Sequence, residues 1–115
     1  MLVGFVMCAQ NTATISPSSD FKTIKDGFVV SVMTLDHELS AAQQQDIAQW
    51  ASDNSGIIKI TVAGKTVTTM LQAESNDRNV YDKMFMQMGV DHLRIGTGTK
   101  TETLSTSQFY DHFNL

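Results

Sequence analysis

The sequence predicts an α+β domain: a two-layer sandwich with helices on an antiparallel sheet. Three observations carry that expectation. Between Asp26 and Gly96 the pattern runs strand, helix, strand, tight turn, strand, helix, strand. Residues 57–71 read as two β-rich strands around Ala63-Gly64-Lys65, with Gly64 free to take the positive φ of a hairpin turn. Ser40-Ala41-Ala42-Gln43 has the form of a capping box, and Met88-Gly89-Val90 has the form of a Schellman helix end.

Taken in order, the chain opens on nine residues without a charged side chain, Met1-Leu2-Val3-Gly4-Phe5-Val6-Met7-Cys8-Ala9. Followed by Gln10-Asn11, this run reads as the tail of a secretory signal cleaved after Ala9, which predicts a periplasmic or secreted protein. The other reading is a short buried N-terminal strand. Acylation of Cys8 is disfavoured because Met7 before it is too large for that cleavage site. A bilayer span needs roughly 20 apolar residues, so the run is too short to be one. Residues 10–19 are small and polar and contain the single proline, and the stretch 10–25 reads as a linker.

Residues 27–33, Gly-Phe-Val-Val-Ser-Val-Met, form a continuous β-rich run and predict a central strand covered on at least one face. Ser40 then opens a helix whose thin apolar face is Leu39, Ile47, Trp50 and Ala51. That helix should fail at Asp53-Asn54-Ser55-Gly56, where Asn54 or Gly56 can adopt the left-handed conformation. Ile58, Ile60 and Val62 share one face of the next strand, and Lys59 and Thr61 the other. Residues 66–71 return beside it and are read as an available strand edge. Ser75, Asn76 or Asp77 caps the second helix, whose stripe of Val80, Tyr81, Met84, Phe85 and Met88 faces a core. Leu93 and Ile95 point inward from the last strand of the unit. Residues 97–103 read as an edge extension or an arm, and Ser105 caps a final helical segment over 106–113. Leu104, Phe109 and Phe113 are expected to pack back onto the domain. The organisation is therefore a signal remnant (1–9), a linker (10–25), one domain (26–96) and a C-terminal extension packed on it (97–115).

Composition narrows the function classes. Hydrophobic residues make up 42% and charged residues 17% of the 115, which suits one folded core. A net charge of −4 argues against a partner bound through a phosphate backbone, which would need a basic patch. With Cys8 as the single cysteine, neither an intramolecular disulfide nor a cysteine metal site can form.

The order βαββαβ is that of the ferredoxin-like arrangement. Within it, several pieces resemble the heavy-metal-associated, copper-chaperone-like domains. Residues 30–34 are similar to the strand entering that family's Met-Thr-Cys-x-x-Cys loop. Ser55-Gly56-Ile57 with Ile60 and Val62 is similar to its turn into the second strand. Thr66-Val67-Thr68 resembles its third strand, and Met88-Gly89-Val90 the end of its second helix. The resemblance covers residues 27–96. The family's two metal-binding cysteines would fall on Leu35 and Glu38, neither of which supplies a thiolate, so the resemblance implies the fold without the metal chemistry.

A soft-metal alternative would need Met33, His37, Met86 and His92 to converge, thioether and imidazole being suitable ligands. Against it, Met84 and Met88 lie on the apolar stripe as packing residues. His37, between Asp36 and Glu38, reads as a solvated loop residue, and His37→Ala should then change stability by no more than about 0.5 kcal/mol. No Gly-x-Ser-x-Gly elbow or third-glycine phosphate loop is present, and the carboxylate pairs Asp36/Glu38 and Glu74/Asp77 sit at turns and caps. Trp50 is expected under the sheet; a half-exposed Trp50 would mark a partner site. The expectation is a non-catalytic exported domain, without a cofactor, that binds a protein partner or itself.

Overall fold

The sheet begins earlier in the chain than the hydropathy pattern predicts. The computed structural model describes residues 11–115 apart from Gly98; the apolar run 1–9, with its cleavage site and Cys8, lies outside the described residues. The strands are β1 (Thr12–Ile15), β2 (Ile24–Lys25), β3 (Phe28–Leu35), β4 (Ile58–Ala63), β5 (Thr66–Gln72), β6 (His92–Thr97) and β7 (Lys100–Ser105). The helices are α1 (Ala41–Asp53), α2 (Arg78–Met88) and α3 (Thr106–Phe113). The fold is α+β, as expected, with a seven-stranded sheet of order β4-β5-β3-β1-β6-β7 and β2 beside β3.

The expected antiparallel sheet is corrected to a mixed one. β1 pairs antiparallel with β3 but parallel with β6. The cause is the stretch read as linker: Thr12-Ala13-Thr14-Ile15 alternates, and its Ala13 and Ile15 are buried between the neighbouring strands. Small residues beside Pro17 hide that alternation from a hydropathy reading. Phe21, also in that stretch, lies in the core. A second correction concerns edges. β5 is interior, between β4 and β3, so β4 rather than residues 66–71 is the edge on that side. β7, from the segment 97–103 and beyond, is the other edge.

The helix signals are realised locally. Ser40 and Gln43 exchange hydrogen bonds as a capping box, as do Ser105 and Gln108, each pair satisfying two amides that a helix start leaves free. Asp77 accepts from the Val80 amide and caps α2. Gly89 ends α2 at φ 69, and the Val90 amide donates back to the Phe85 carbonyl. Asn54 caps α1 at φ −124, so the expected left-handed end is absent there; its side-chain amide donates to the Trp50 carbonyl instead.

One face of the sheet carries the core. Val29, Met33 and Leu35 of β3 join Val67 and Leu71 of β5, Ala13 and Ile15 of β1, and Leu93 and Ile95 of β6 on that side. Tyr81, Met84, Phe85 and Met88 of α2 close over them, with Phe109 and Tyr110 of α3, as the apolar stripe of α2 predicts. Each such side chain, when fully buried, stabilises by about 1.5–3 kcal/mol. Among the described residues, the opposite face carries no helix.

Candidate interaction surface

The histidines and methionines singled out from the sequence are not brought together. Met33 points into the core from β3, whereas Met86 stands on α2 with 75% of its surface exposed. Strand parity puts Met33 on the buried side, and Met86 lies off the α2 stripe. Among the described residues, no group of three or more His, Cys, Asp or Glu is arranged to hold a metal ion.

His37 and His92 instead stand either side of the start of β1. The Thr12 amide donates to Asp36 Oδ2 at 3.0 Å, and the Asn11 amide donates to Asp91 Oδ1 at 3.1 Å. Each carboxylate also holds the imidazole that follows it in sequence: His37 Nδ1 at 2.6 Å from Asp36, His92 Nδ1 at 2.9 Å from Asp91. His37 Nε2 reaches the Met88 carbonyl at 3.1 Å, tying the loop after β3 to the end of α2. Both partners of His37 are acceptors, and which of them receives the ring N–H depends on the tautomer. His37 is therefore not the solvated loop residue expected from its sequence neighbours. His37→Ala should cost about 1–2 kcal/mol, because the ring's contacts with both the Met88 carbonyl and Asp36 are lost. Urea denaturation of the two proteins measures it; a difference below about 0.5 kcal/mol would return His37 to the surface class.

Two carboxylates sit below their ordinary range. Asp20 is held at about 2, first by the Thr23 hydroxyl and then by the amides of Thr23 and Lys22. At Asp36 partial burial pushes upward, but the bonds from His37 and the Thr12 amide together outweigh it and the carboxyl is lowered. A depressed folded-state value means stability that is present above the ordinary carboxylate value of 3.8 and lost as pH falls through the folded one. The melting temperature should therefore drop from about pH 5 downward, most steeply toward about pH 2, and less so in Asp36→Asn. A flat profile would show that neither carboxylate holds the fold. Burial lifts the phenols of Tyr81 and Tyr110 well above their ordinary value, and Tyr110 donates to Asp82 at 2.8 Å.

A shallow cleft of about 220 Å³ gathers Ser16, Ser19, Asp20 and His112 beside Phe113 and Ile95. It does not form a nucleophilic relay. Ser16 bonds Ser18, Ser19 accepts from the Val32 amide, and Asp20 is occupied by its own turn. None of these bonds runs to His112.

What remains is surface. On the side of the sheet where the described residues place no helix, alternation turns Phe28, Val30, Val32 and Thr34 of β3 outward, Val30 and Thr34 exposed and Phe28 and Val32 half-buried, and register aligns Gln72, Met70, Thr68 and Thr66 of β5 with them. Val30 is 41% exposed. One row crosses six strands as Ala63, Thr66, Thr34, Thr14, Arg94 and Thr103. At the β4 edge the helix layer is incomplete: Trp50, Ile57, Ile60 and Val62 are only partly buried where they pack on the core. Trp50 is thus half-buried rather than sealed under the sheet. No helix among the described residues is long and apolar enough to cross a membrane. No family model, curated protein or solved structure matches the chain.

Proposed function

We propose that this chain is a non-catalytic, exported interaction module that binds a protein partner or a second copy of itself. We further read its core as a ferredoxin-like unit, β3-α1-β4-β5-α2-β6, of the heavy-metal-associated type without the metal-binding cysteines. In that reading β1 has entered between β3 and β6, which leaves β6 antiparallel to β3 but one place further out. The reading of residues 1–9 as a signal remnant supports export. One observation carries the function: among the described residues, a seven-stranded sheet has helices on one side only and both of its edge strands lack a neighbour. Edge strands present unpaired backbone groups that pair readily with another chain. β4 is the more apolar edge, with half-buried Ile60 and Val62 beside Trp50 of α1.

Light scattering from about 10 µM to about 1 mM, with amide exchange read alongside, tests the self-association arm by mass action. The expected result is a mass that rises with concentration while β4 or β7 amides gain protection. Amide spectra titrated with Cu(I) and Zn(II) test the reading against metal handling. Saturable shifts confined to residues 36–38 and 86–92 would replace an interaction module with a metal-binding one.

A further inference from the structure

Resting on the interaction-module reading, we propose that the open face of the sheet is the docking site, and that its partner is a protein surface with an apolar centre ringed by carboxylates. The argument is the distribution of charge. The whole chain has a net charge of −4. Yet the described strand residues that register places on the open side include Lys25, Lys59 and Arg94 and no Asp or Glu. Glu102, the one acidic strand residue, pairs with Ile95 and so belongs to the helix side. Asp36, just beyond β3, is already engaged by the Thr12 amide and by His37. Among its described strand residues, an acidic protein has thus kept carboxylates off this face, and Asp36 at the margin is occupied by the Thr12 amide and His37.

The arrangement of that face selects the kind of anion. Val30 sits between Met70 and the start of β2, with Phe28 and Val32 on either side of it along the strand. Threonines surround this apolar strip, and the cations lie toward the rim: Lys59 on edge strand β4, Lys25 on β2, Arg94 on β6 beyond β1. Strands are about 4.8 Å apart and residues rise about 3.3 Å along each, so Lys59 and Arg94, four strands and four residues apart, are separated by roughly 23 Å. A nucleic acid or sulfated glycan, with charge at every residue, would be met by a denser row of cations. An apolar centre within a polar, charged rim is the anatomy of a protein–protein interface. Rim charges of this kind raise association rates and select partners.

The test is an amide NMR titration of the chain with a soluble copolymer of glutamate and tyrosine, which offers carboxylates with apolar rings, and in parallel with heparin and with polylysine. The expected result is saturable shifts with the copolymer at Val30, Val32, Thr68 and Met70, weakened by salt. Lys59→Glu with Arg94→Glu should weaken that binding by about tenfold or more. Both positions are exposed, and a spectrum otherwise like that of the parent shows that the variant is folded. Heparin shifting the face while the copolymer does not would overturn the proposal in favour of a polyanionic glycan. Shifts on the helix side, shifts of equal size with polylysine, or no shifts at all would overturn it too. If the titration fails while light scattering still reports a dimer, the docking face falls and the interaction-module reading stands. If both fail, both fall.

Discussion

Phe21→Ala is expected to remove about 3–5 kcal/mol of stability, the range for deleting a buried aromatic ring. Phe21 is 1% exposed. Its ring meets Tyr81 at 5.5 Å and Phe109 at 5.0 Å edge-on, and Phe113 at 4.8 Å in a tilted pair. It therefore joins α2 to α3. Its backbone also carries a cost: at φ 58 an L-residue with a side chain is strained by about 1–2 kcal/mol. That conformation persists only because the burial of the ring outweighs it. A domain of this size has roughly 5–15 kcal/mol in all, so the variant should be close to unfolding at room temperature. Urea denaturation followed by circular dichroism gives the difference directly. A loss below about 1 kcal/mol would mean that the segment before β3 is an appendage and that the two-helix cluster stands without it. Phe21→Leu, which keeps apolar bulk, should recover part of the loss, since the strain at this positive φ is common to Phe, Leu and Ala and only packing differs among them.

The elements most legible in the sequence are those whose signals are local. The Ser40–Gln43 box, the Ser105 cap, the Gly64 turn and the Gly89 helix end each depend on residues within a few positions of one another. Strand order does not. Whether residues 66–71 form an edge depends on β4 and β3 taking both sides of them, and nothing within β5 encodes that. The strand Thr12–Ile15 was illegible for another reason: its inward residues are Ala13 and Ile15, and Ala13 is too small to register as part of a strand's apolar face.

The candidate surface was illegible because hydropathy there runs against burial. In β3 both faces are β-rich, so alternation alone cannot say which one is covered. Ser31 is buried and Val30 is exposed. Ser31 tolerates the core because its hydroxyl shares a hydrogen bond with that of Thr69 directly across the sheet, also buried. The same parity sends Met33 inward and removes it from any site with His37. A signal for the open face was present in the charges: between Lys25 and Lys59 the chain has no Lys or Arg, while both of those lysines fall on one side of one sheet. That pairing becomes visible only once register is known.

Leu93→Ala should cost about 2–5 kcal/mol, and the neighbours of Leu93 place it toward the upper part of that range. Leu93 is fully buried. It lies on the covered face of β6, opposite Ala13 in the parallel partner β1 and opposite Leu104 in β7. A methyl group on one side cannot expand into the space that a missing isobutyl group leaves. Leu104, on an edge strand and only partly buried, is held by the hairpin register on the other side. The cavity would thus stay open, and residual cavity volume is what separates costly from mild leucine deletions. Leu104→Ala is the matched comparison. It removes the same atoms from the neighbouring position on the same face, but solvent already reaches that site, so its cost should be clearly smaller. Equilibrium urea unfolding of both variants, with equal m-values as a check on the denatured state, makes the comparison. Equal losses at the two positions would mean that β7 is sealed into the core rather than standing at an open edge, and that edge would then be unavailable for strand addition. A benign Leu93→Ala would be more damaging, because the parallel β1–β6 pair that makes this sheet mixed would no longer stand over a closed core.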